Sequence, residues 1–456
     1  MPVLPIRELY CPSHFGNSYE VALDNEMREI LSEAKFWGLN RYADWFDTID
    51  LYDVYNKKHD LFNLPEAMWA RKFANFQIAS ELGFDLTLVI TPNHVFSDQV
   101  TPANEATKGS LLFGQLVCPS KPGAMEMILK NYRNLFEDFS RRGLRIGSIA
   151  ACPYDYGGCA CEQCKPWIVT CGKLVKEIAG LGKNIFGSMN AELIGWWWTD
   201  EDHRDFTAWA DREAPGLFKS LAFHLPYNEA AYKVRPIPAG CRERAFVHIA
   251  YGETNHPIDD AYGHYGPVIA PDRLEKTCAF LAERTAAGFM AYSEGVYDEI
   301  NKALLAGITS GQFPTADKVL QTYAQRHFGT ETDGWAEWLR MMGNPANLNL
   351  ARARNLFKHL KVNARESWRL EQLELRLIML EADRAVRSQS EWNPQRLEAA
   401  KTFWDAKERL YRKIWALGLT RHGFRFDAVV PDWHEDYLKI KGRHRDHDKW
   451  NNLKQA

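Results

Sequence analysis

Short apolar runs recur through the first two thirds of the chain, and most stop at polar or aromatic residues. Ile6 to Tyr10 leads into Ser13-His14-Phe15-Gly16-Asn17, Phe36 to Tyr42 into Asp44-Trp45-Phe46-Asp47, and Phe84 to Ile90 into Thr91-Pro92-Asn93-His94. Ile146 to Ala151 gives way to Cys152-Pro153-Tyr154-Asp155, and Glu192 to Trp198 ends in Thr199-Asp200-Glu201-Asp202-His203. Lys219 to Phe223 ends in His224-Leu225-Pro226-Tyr227-Asn228, Ala245 to Ala250 in Tyr251-Gly252-Glu253, and Phe289 to Tyr292 in Ser293-Glu294-Gly295. Runs of this length bounded by turn residues predict eight strands. Helical patterns fill most of the gaps: Glu26 to Ala34, a helix that Asn63 can cap, Pro65 suits and Gly83 stops, Met125 to Arg141, one from near Pro166 and one from near Tyr297.

Strands alternating with helices predict an α/β protein, and eight of them predict a (β/α)8 TIM barrel. A doubly wound open sheet is the other arrangement of such a pattern. The barrel is favoured because it gathers all eight polar strand ends on one rim. Two connections are irregular: Phe96 to Pro122 reads as an extended loop over the third strand's end. Glu229 to Glu243, rich in Pro, Gly and Arg, has no helical period. After Gly307 the spacing becomes purely helical, with Leu370, Leu373, Leu377 and Leu380 on one face and Phe403, Ala406, Leu410, Ile414 and Leu417 on another. Trp392-Asn393-Pro394 separates the two. Residues 1–314 are therefore expected to form the barrel. Residues 315–456 are expected to form a C-terminal α-helical domain packed on it, ending in a basic, His-rich tail (Lys439 to Lys449).

The chain has 56 basic and 59 acidic residues, a net charge of −3, so nothing points to nucleic acid or an anionic membrane. The N-terminus has neither a basic nor an apolar leader segment, and no run approaches the ~18 apolar residues of a membrane span. A cytoplasmic protein is expected, with a homodimer as one arrangement for the stretch Phe424 to Trp433. Nine cysteines, an odd number, make no disulfide framework. Sixteen Trp and eighteen Tyr exceed what a core requires, and flat amphipathic rings suit stacking on the apolar faces of sugars.

The strand ends carry the candidate chemistry. Asp155, Asp200, Glu201, Glu253 and Glu294 are acids in positions to face a common cleft. Asp44, Trp45, His94, Tyr154, Trp198, His224, Tyr227, Tyr251, Tyr292 and Asp298 are candidates for holding a substrate. Paired carboxylates in an aromatic cleft are what glycosidic cleavage needs: one acid protonates the leaving oxygen, and a second carboxylate acts as nucleophile or activates water. Duller roles exist for each. Asp155 precedes Gly-Gly and can make a turn, Asp298 can cap a helix, and Asp200 and Glu201 point to opposite faces if the strand stays extended. The histidines His94, His203, His224 and His248 are scattered and form no tight metal motif. Cys159, Cys161 and Cys164 are spaced closely enough to share a structural zinc, one ligand short of a closed site that Cys118, Cys152 or Cys171 can complete. The plainer reading is that they pack the turn as reduced thiols, and no other cofactor is expected.

These motifs resemble those of bacterial glycoside-hydrolase-like barrels, similar in style to α-glucuronidases and β-N-acetylhexosaminidases. The resemblance rests on Pro153-Tyr154-Asp155 with the Gly-Gly-Cys-x-Cys-x-x-Cys that follows, on Trp197-Trp198-Thr199-Asp200, and on Tyr292-Ser293-Glu294-Gly295 with Asp298 and Asn301-Lys302. It implies a glycosidase with a helical appendage. Asp200-Glu201 looks like the Asp-Glu pair of hexosaminidases, which lets a substrate acetamido group attack its own anomeric carbon. It falls after the fifth predicted strand rather than the fourth, without the preceding glycines. Two-carboxylate cleavage of a small saccharide or glycoside by Asp155, Asp200 and Glu294 fits the layout better. The alternatives are a non-catalytic carbohydrate-binding barrel and a metal-dependent sugar isomerase, epimerase or lyase using the histidines and Glu253.

Overall fold

The computed structural model describes residues 3–11, 19, 22–46, 53–55, 64–108, 116–154, 157–196, 198–225, 233–249, 266–284, 286–293, 295–344, 347–410 and 432–440. Eight parallel strands close into a barrel in sequence order: β1 (Ile6–Tyr10), β2 (Arg41–Trp45), β3 (Asp85–Ile90), β4 (Ser148–Ala151), β5 (Asn190–Gly195), β6 (Phe218–Leu225), β7 (Arg242–His248) and β8 (Gly288–Tyr292). β8 pairs back onto β1, with Tyr292 opposite Tyr10. The helices α1 (Asp24–Phe36), α2 (Leu64–Glu81), α3 (Ala124–Arg141), α4 (Trp167–Phe186), α5 (Asp200–Glu213), α6 (Pro271–Glu283) and α7 (Glu299–Thr309) accompany them. Among the described residues no helix separates β6 from β7, where the sequence lacks a helical period.

Two strands lie elsewhere than the apolar runs suggest. β2 begins at Arg41 rather than Phe36, because α1 continues to Phe36 and Trp37 is wholly buried, stacking against Tyr323. The run therefore belongs to the end of a helix, and Asp44 and Trp45 become strand residues. β5 stops at Gly195, before the tryptophan run, because Thr199 and Asp202 cap the start of α5 reciprocally. That pulls Trp198 out of the sheet and makes Asp200 a helix residue.

Side chains alternate along the strands, and past a register shift at Ala191–Glu192, where β5 meets the start of β6, the register carries one parity around the barrel. The inward positions near the strand starts are polar: Glu8, Arg41, Ser148, Glu192 and Arg244 among them. Arg244, fully buried, pairs with Glu8 and, at 2.7 Å, with Glu192; Arg41 reaches Glu192 at 2.8 Å, and the Ser148 hydroxyl donates to it at 3.1 Å. Burial works against the ionised Glu192, but Arg244 and Arg41 outweigh it and hold the carboxyl below its ordinary range. Above this ionic floor lies a short apolar layer that includes Ala43, Val89, Ala150, Ile194, Ala222 and Met290.

The helical region follows as α8 (Ala316–His327), α9 (Thr332–Met342), α10 (Leu350–Lys361), α11 (Trp368–Arg387), α12 (Pro394–Arg409) and α13 (His434–Ile440). Asn393 caps α12 by accepting from Arg396 N, with Pro394 in its first turn. Two ionic contacts onto buried carboxylates join this region to the barrel. Arg369 of α11 forks onto Glu299 of α7 at 2.6 and 2.7 Å, with the Tyr323 hydroxyl donating to the same carboxylate at 2.8 Å. Arg326 and His327, at the end of α8, hold Glu33 of α1 at 2.8 and 3.0 Å. The apolar positions Ile414 and Leu417 and most of the basic tail lie outside the described residues. No helix among the described residues is long and apolar enough to cross a membrane.

Replacing Arg244 by Ala strips the buried Glu8 of its cation and leaves Glu192 with Arg41 alone. It should cost about 3–5 kcal/mol in urea unfolding; a loss under about 1 kcal/mol would show the ionic floor to be dispensable. The Glu33 contact predicts a pH dependence. Burial raises that carboxyl, but hydrogen bonds from His327 and Arg326 prevail and hold it at about 2. A folded-state value below the unfolded one, about 4.3, gives stability that is complete above that pH and lost as pH falls toward 2. Denaturant midpoints of the parent should therefore fall more steeply than those of Glu33→Gln below about pH 4.3. Parallel curves would refute the assignment.

Candidate functional site

The C-terminal mouth of the barrel is where eight loops meet, and its lining follows from strand parity. The last inward residues of β1 and β2 are Tyr10 and Trp45. β6, β7 and β8 contribute His224, His248 and Tyr292, and Trp196 follows directly on β5. Trp196, His224, His248, Tyr292 and Tyr10 form a chain of ring contacts. Trp196 lies 4.1 Å from His224 and 5.0 Å from His248 between centroids, His224 lies 5.3 Å from His248, and Tyr292 lies 5.5 Å from His248 and 5.8 Å from Tyr10. Burial depresses the His224 imidazole to about 4 and carries His248 well below its ordinary value, with His224 and Arg273 adding to the second. Both rings are therefore neutral near pH 7 and can accept or donate a hydrogen bond without charge.

Thr91 and Cys152 complete the inward positions after β3 and β4. The Cys152 thiol donates to the Tyr154 carbonyl at 3.0 Å. Gly157 packs so closely here that a Cβ would come within 2.9 Å of the Thr91 methyl and 3.0 Å of Pro153 O. The half-buried Tyr154 donates its hydroxyl to Asp202 at 2.6 Å, while Asp202 also accepts from Thr199 N at 2.8 Å. The α5 start thus props up the β4 loop. Asp202 is a site residue that the strand-end pattern misses, and the Thr199-x-x-Asp202 spacing is its signal; of the tryptophans after β5, a strand ending at Gly195 singles out Trp196.

Several predicted residues lie elsewhere than expected. Parity turns Asp44 outward, under α2. Completely buried, it accepts from Trp45 N at 2.8 Å and faces Lys72 at 3.4 Å, so it is a packing anion rather than a hydroxyl ligand. Trp198 packs into the core beside His203 (5.0 Å) and Phe206 (5.3 Å), whereas Trp196 joins Trp45 at the mouth. Asp200, at the first turn of α5, is gripped by Lys233 and, at 2.8 Å, by Arg235; these hydrogen bonds hold its carboxyl at about 2. So held, the group is an anion near neutral pH. Glu201 is exposed on the same helix.

Asp298 is buried, accepting from Ser293 Oγ at 2.9 and 3.0 Å and pairing with Lys302 at 2.9 Å. Lys302 also donates to Gly295 O at 2.5 Å, and Tyr19 bonds Ser293. This cluster fixes both neighbours of Glu294, with Gly295 at a φ of +124° that favours glycine. His94, its ring kept neutral by burial at about 3, lines a small side pocket with Trp45, Trp69, Thr91, Asn131 and Tyr132. Asp155, Tyr227, Tyr251, Glu253 and Glu294 lie outside the described residues. Among the described residues, no inward position at the mouth is a carboxylate.

Comparison of the sequence with protein-family models and with curated proteins finds no match. Solved structures do resemble the fold. A GH89 protein from Clostridium perfringens, captured with its substrate GlcNAc-α-1,4-galactose, aligns with a TM-score of 0.54 at 9% identity over 90% of this chain and 53% of its own. The fold is one that glycoside hydrolases use. Looser matches are the β-amylase catalytic domain of Paenibacillus polymyxa (TM-score 0.43, 9% identity, 68% of this chain and 98% of its own) and a pneumococcal GH20 exo-β-D-N-acetylglucosaminidase module (0.38, 10%, 90% and 98%). At these identities the likeness is one of architecture.

One group of cysteines lies beside the mouth. Cys118, from the segment before α3, meets Cys159, Cys161 and Cys164 of the β4–α4 loop, and their four sulfurs lie within 4.8 Å of one another. Burial opposes ionisation of Cys161, but hydrogen bonds from Cys159, Cys164, Ser120 and Cys118 bring its thiol down to about 6. Burial pushes Cys159 and Cys164 up.

The histidines supply the test of this geometry. Ring resonances of His224 followed by NMR should keep their neutral-form shifts through neutral pH and move only near pH 4, the value that burial imposes. A midpoint near 6.5 would mean that the ring is solvated and the mouth more open than described.

Proposed function

We propose that the protein is a glycoside hydrolase acting on a small saccharide or glycoside at this mouth. The observation that carries the reading is the mouth layer itself: Trp196, Tyr292 and Tyr10 offer flat apolar faces to a sugar ring, with the neutral His224 and His248 beside them for hydroxyls. The barrel shared with the GH89 protein of Clostridium perfringens supports it. Asp155 and Glu294 are the proposed acid–base and nucleophile or base pair. They follow β4 and β8, which stand opposite each other in a closed eight-stranded barrel. Asp200, committed to its two cations, keeps the start of α5 in place instead.

Hydrolysis of an aryl-glycoside panel tests the proposal. Asp155→Ala and Glu294→Ala should each lower kcat/KM about 10²–10⁴-fold with the circular dichroism unchanged. Asp200→Asn should stay within about fivefold of the parent. If both alanine variants cleave at the parent rate, the assignment is wrong. A parent that cleaves nothing but binds sugars calorimetrically would be a binding barrel. Activity that a chelator abolishes and a divalent ion restores would indicate metal-dependent sugar chemistry.

A further inference from the structure

We infer that Cys118, Cys159, Cys161 and Cys164 form a closed tetrathiolate site for one structural zinc ion, clamping the β3–α3 segment to the loop that presents Tyr154. The donor set is the first ground. Four sulfurs placed about 2.3 Å from a zinc ion at tetrahedral corners stand about 3.8 Å apart. Here Cys118 Sγ lies 3.6 Å from Cys161 Sγ and 3.7 Å from Cys164 Sγ, and all four fall within 4.8 Å. A disulfide would need about 2.05 Å. The quartet therefore has the spacing of thiolates around an ion rather than of bonded sulfurs.

The second ground is the surroundings. Cys118, Cys159 and Cys164 are buried and Cys161 is partly exposed, so an ion can enter from one side and then be enclosed. Cys164 N donates to Cys161 O at 3.0 Å, closing a tight turn that brings those two ligands onto one side of the site. Thr107 N donates to Cys159 Sγ at 3.4 Å, and Ser120 Oγ lies 2.9 Å from Cys118 Sγ and 3.7 Å from Cys164 Sγ. Donors aimed at sulfur offset the negative charge that four thiolates carry in excess of a divalent cation. Each cysteine binds as its thiolate, so any thiol still protonated releases its proton to solvent and affinity weakens as the pH is lowered. Zinc, redox-inert and suited to a closed all-sulfur tetrahedron, fits a site with no open ligand position.

The role is structural because neighbouring bonds join the same two segments. Asn93 donates to Val117 O at 3.0 Å and to Gly158 O at 2.7 Å, accepts from Gly158 N at 3.1 Å, and Ala160 N reaches Thr107 O at 2.9 Å. An ion held by Cys118 on one segment and by three cysteines on the other would lock this junction.

Elemental analysis of the full chain, purified under reducing conditions with neither chelator nor added metal, tests the assignment. About one zinc per chain is expected. Cys118→Ser and Cys161→Ser should each lower this below about 0.2, while Cys241→Ser, at the foot of the barrel, keeps it. Exchange of the ion for cobalt(II) should give thiolate-to-cobalt charge transfer with tetrahedral d–d absorption, and a strong chelator should lower the parent's melting temperature. A parent with under about 0.1 zinc that neither binds cobalt through sulfur nor melts higher when zinc is added would overturn the inference. So would zinc retained by both cysteine variants, or stoichiometric iron in its place.

Discussion

Barrel closure imposes one constraint on everything above it. Because eight parallel strands share a register, a single parity decides which side chain of every strand enters the lumen. Glu8, Arg41, Glu192 and Arg244 share that parity with Tyr10, Trp45, Trp196 and His248. The ionic floor and the aromatic mouth are thus two levels of one arrangement. Slipping one strand by a residue would bring buried charge out of the floor and turn a ring away from the mouth. The floor carries the cost of desolvating its charges, and a slipped register would add to it by leaving those charges unpaired.

Much of the architecture was legible in the sequence because its signals are local. Apolar runs ending in polar clusters marked the strands, and Leu370, Leu373, Leu377 and Leu380 marked the face of α11 that is buried. Strand limits were harder to read. The run from Phe36 looked like a strand start, although its aromatic residues complete the packing of a helix against Tyr323, a contact nearly three hundred residues distant. The tryptophan run after Gly195 reads as strand because tryptophan favours sheets, but the strand stops at Gly195 and the Thr199–Asp202 capping box starts the next helix at Asp200.

Those two boundary shifts account for most of the difference at the candidate site. Parity sends Asp44 outward once β2 begins at Arg41, and Asp200 becomes the first residue of a helix once β5 stops at Gly195. Ion pairing was less legible still, because the cations that claim Asp200 come from the irregular crossover, where no pattern announces a partner. The cysteine cluster was half visible. Three members share one loop, while Cys118 arrives from a segment whose approach depends on how β3 and β4 pair.

The buried contacts at the end of β8 have a consequence for how a ligand would be received. Ser293, Asp298 and Lys302 tie the strand end to the first turn of α7, and Tyr19 reaches across to the same hydroxyl. The peptide on either side of Glu294 is therefore held by helix and barrel together before anything enters the mouth. Binding need not spend interaction energy on ordering that corner, and the entropy of arranging it is settled during folding. Lys302, a helix residue whose side chain is almost wholly buried, is in this sense part of the mouth's geometry without belonging to its surface.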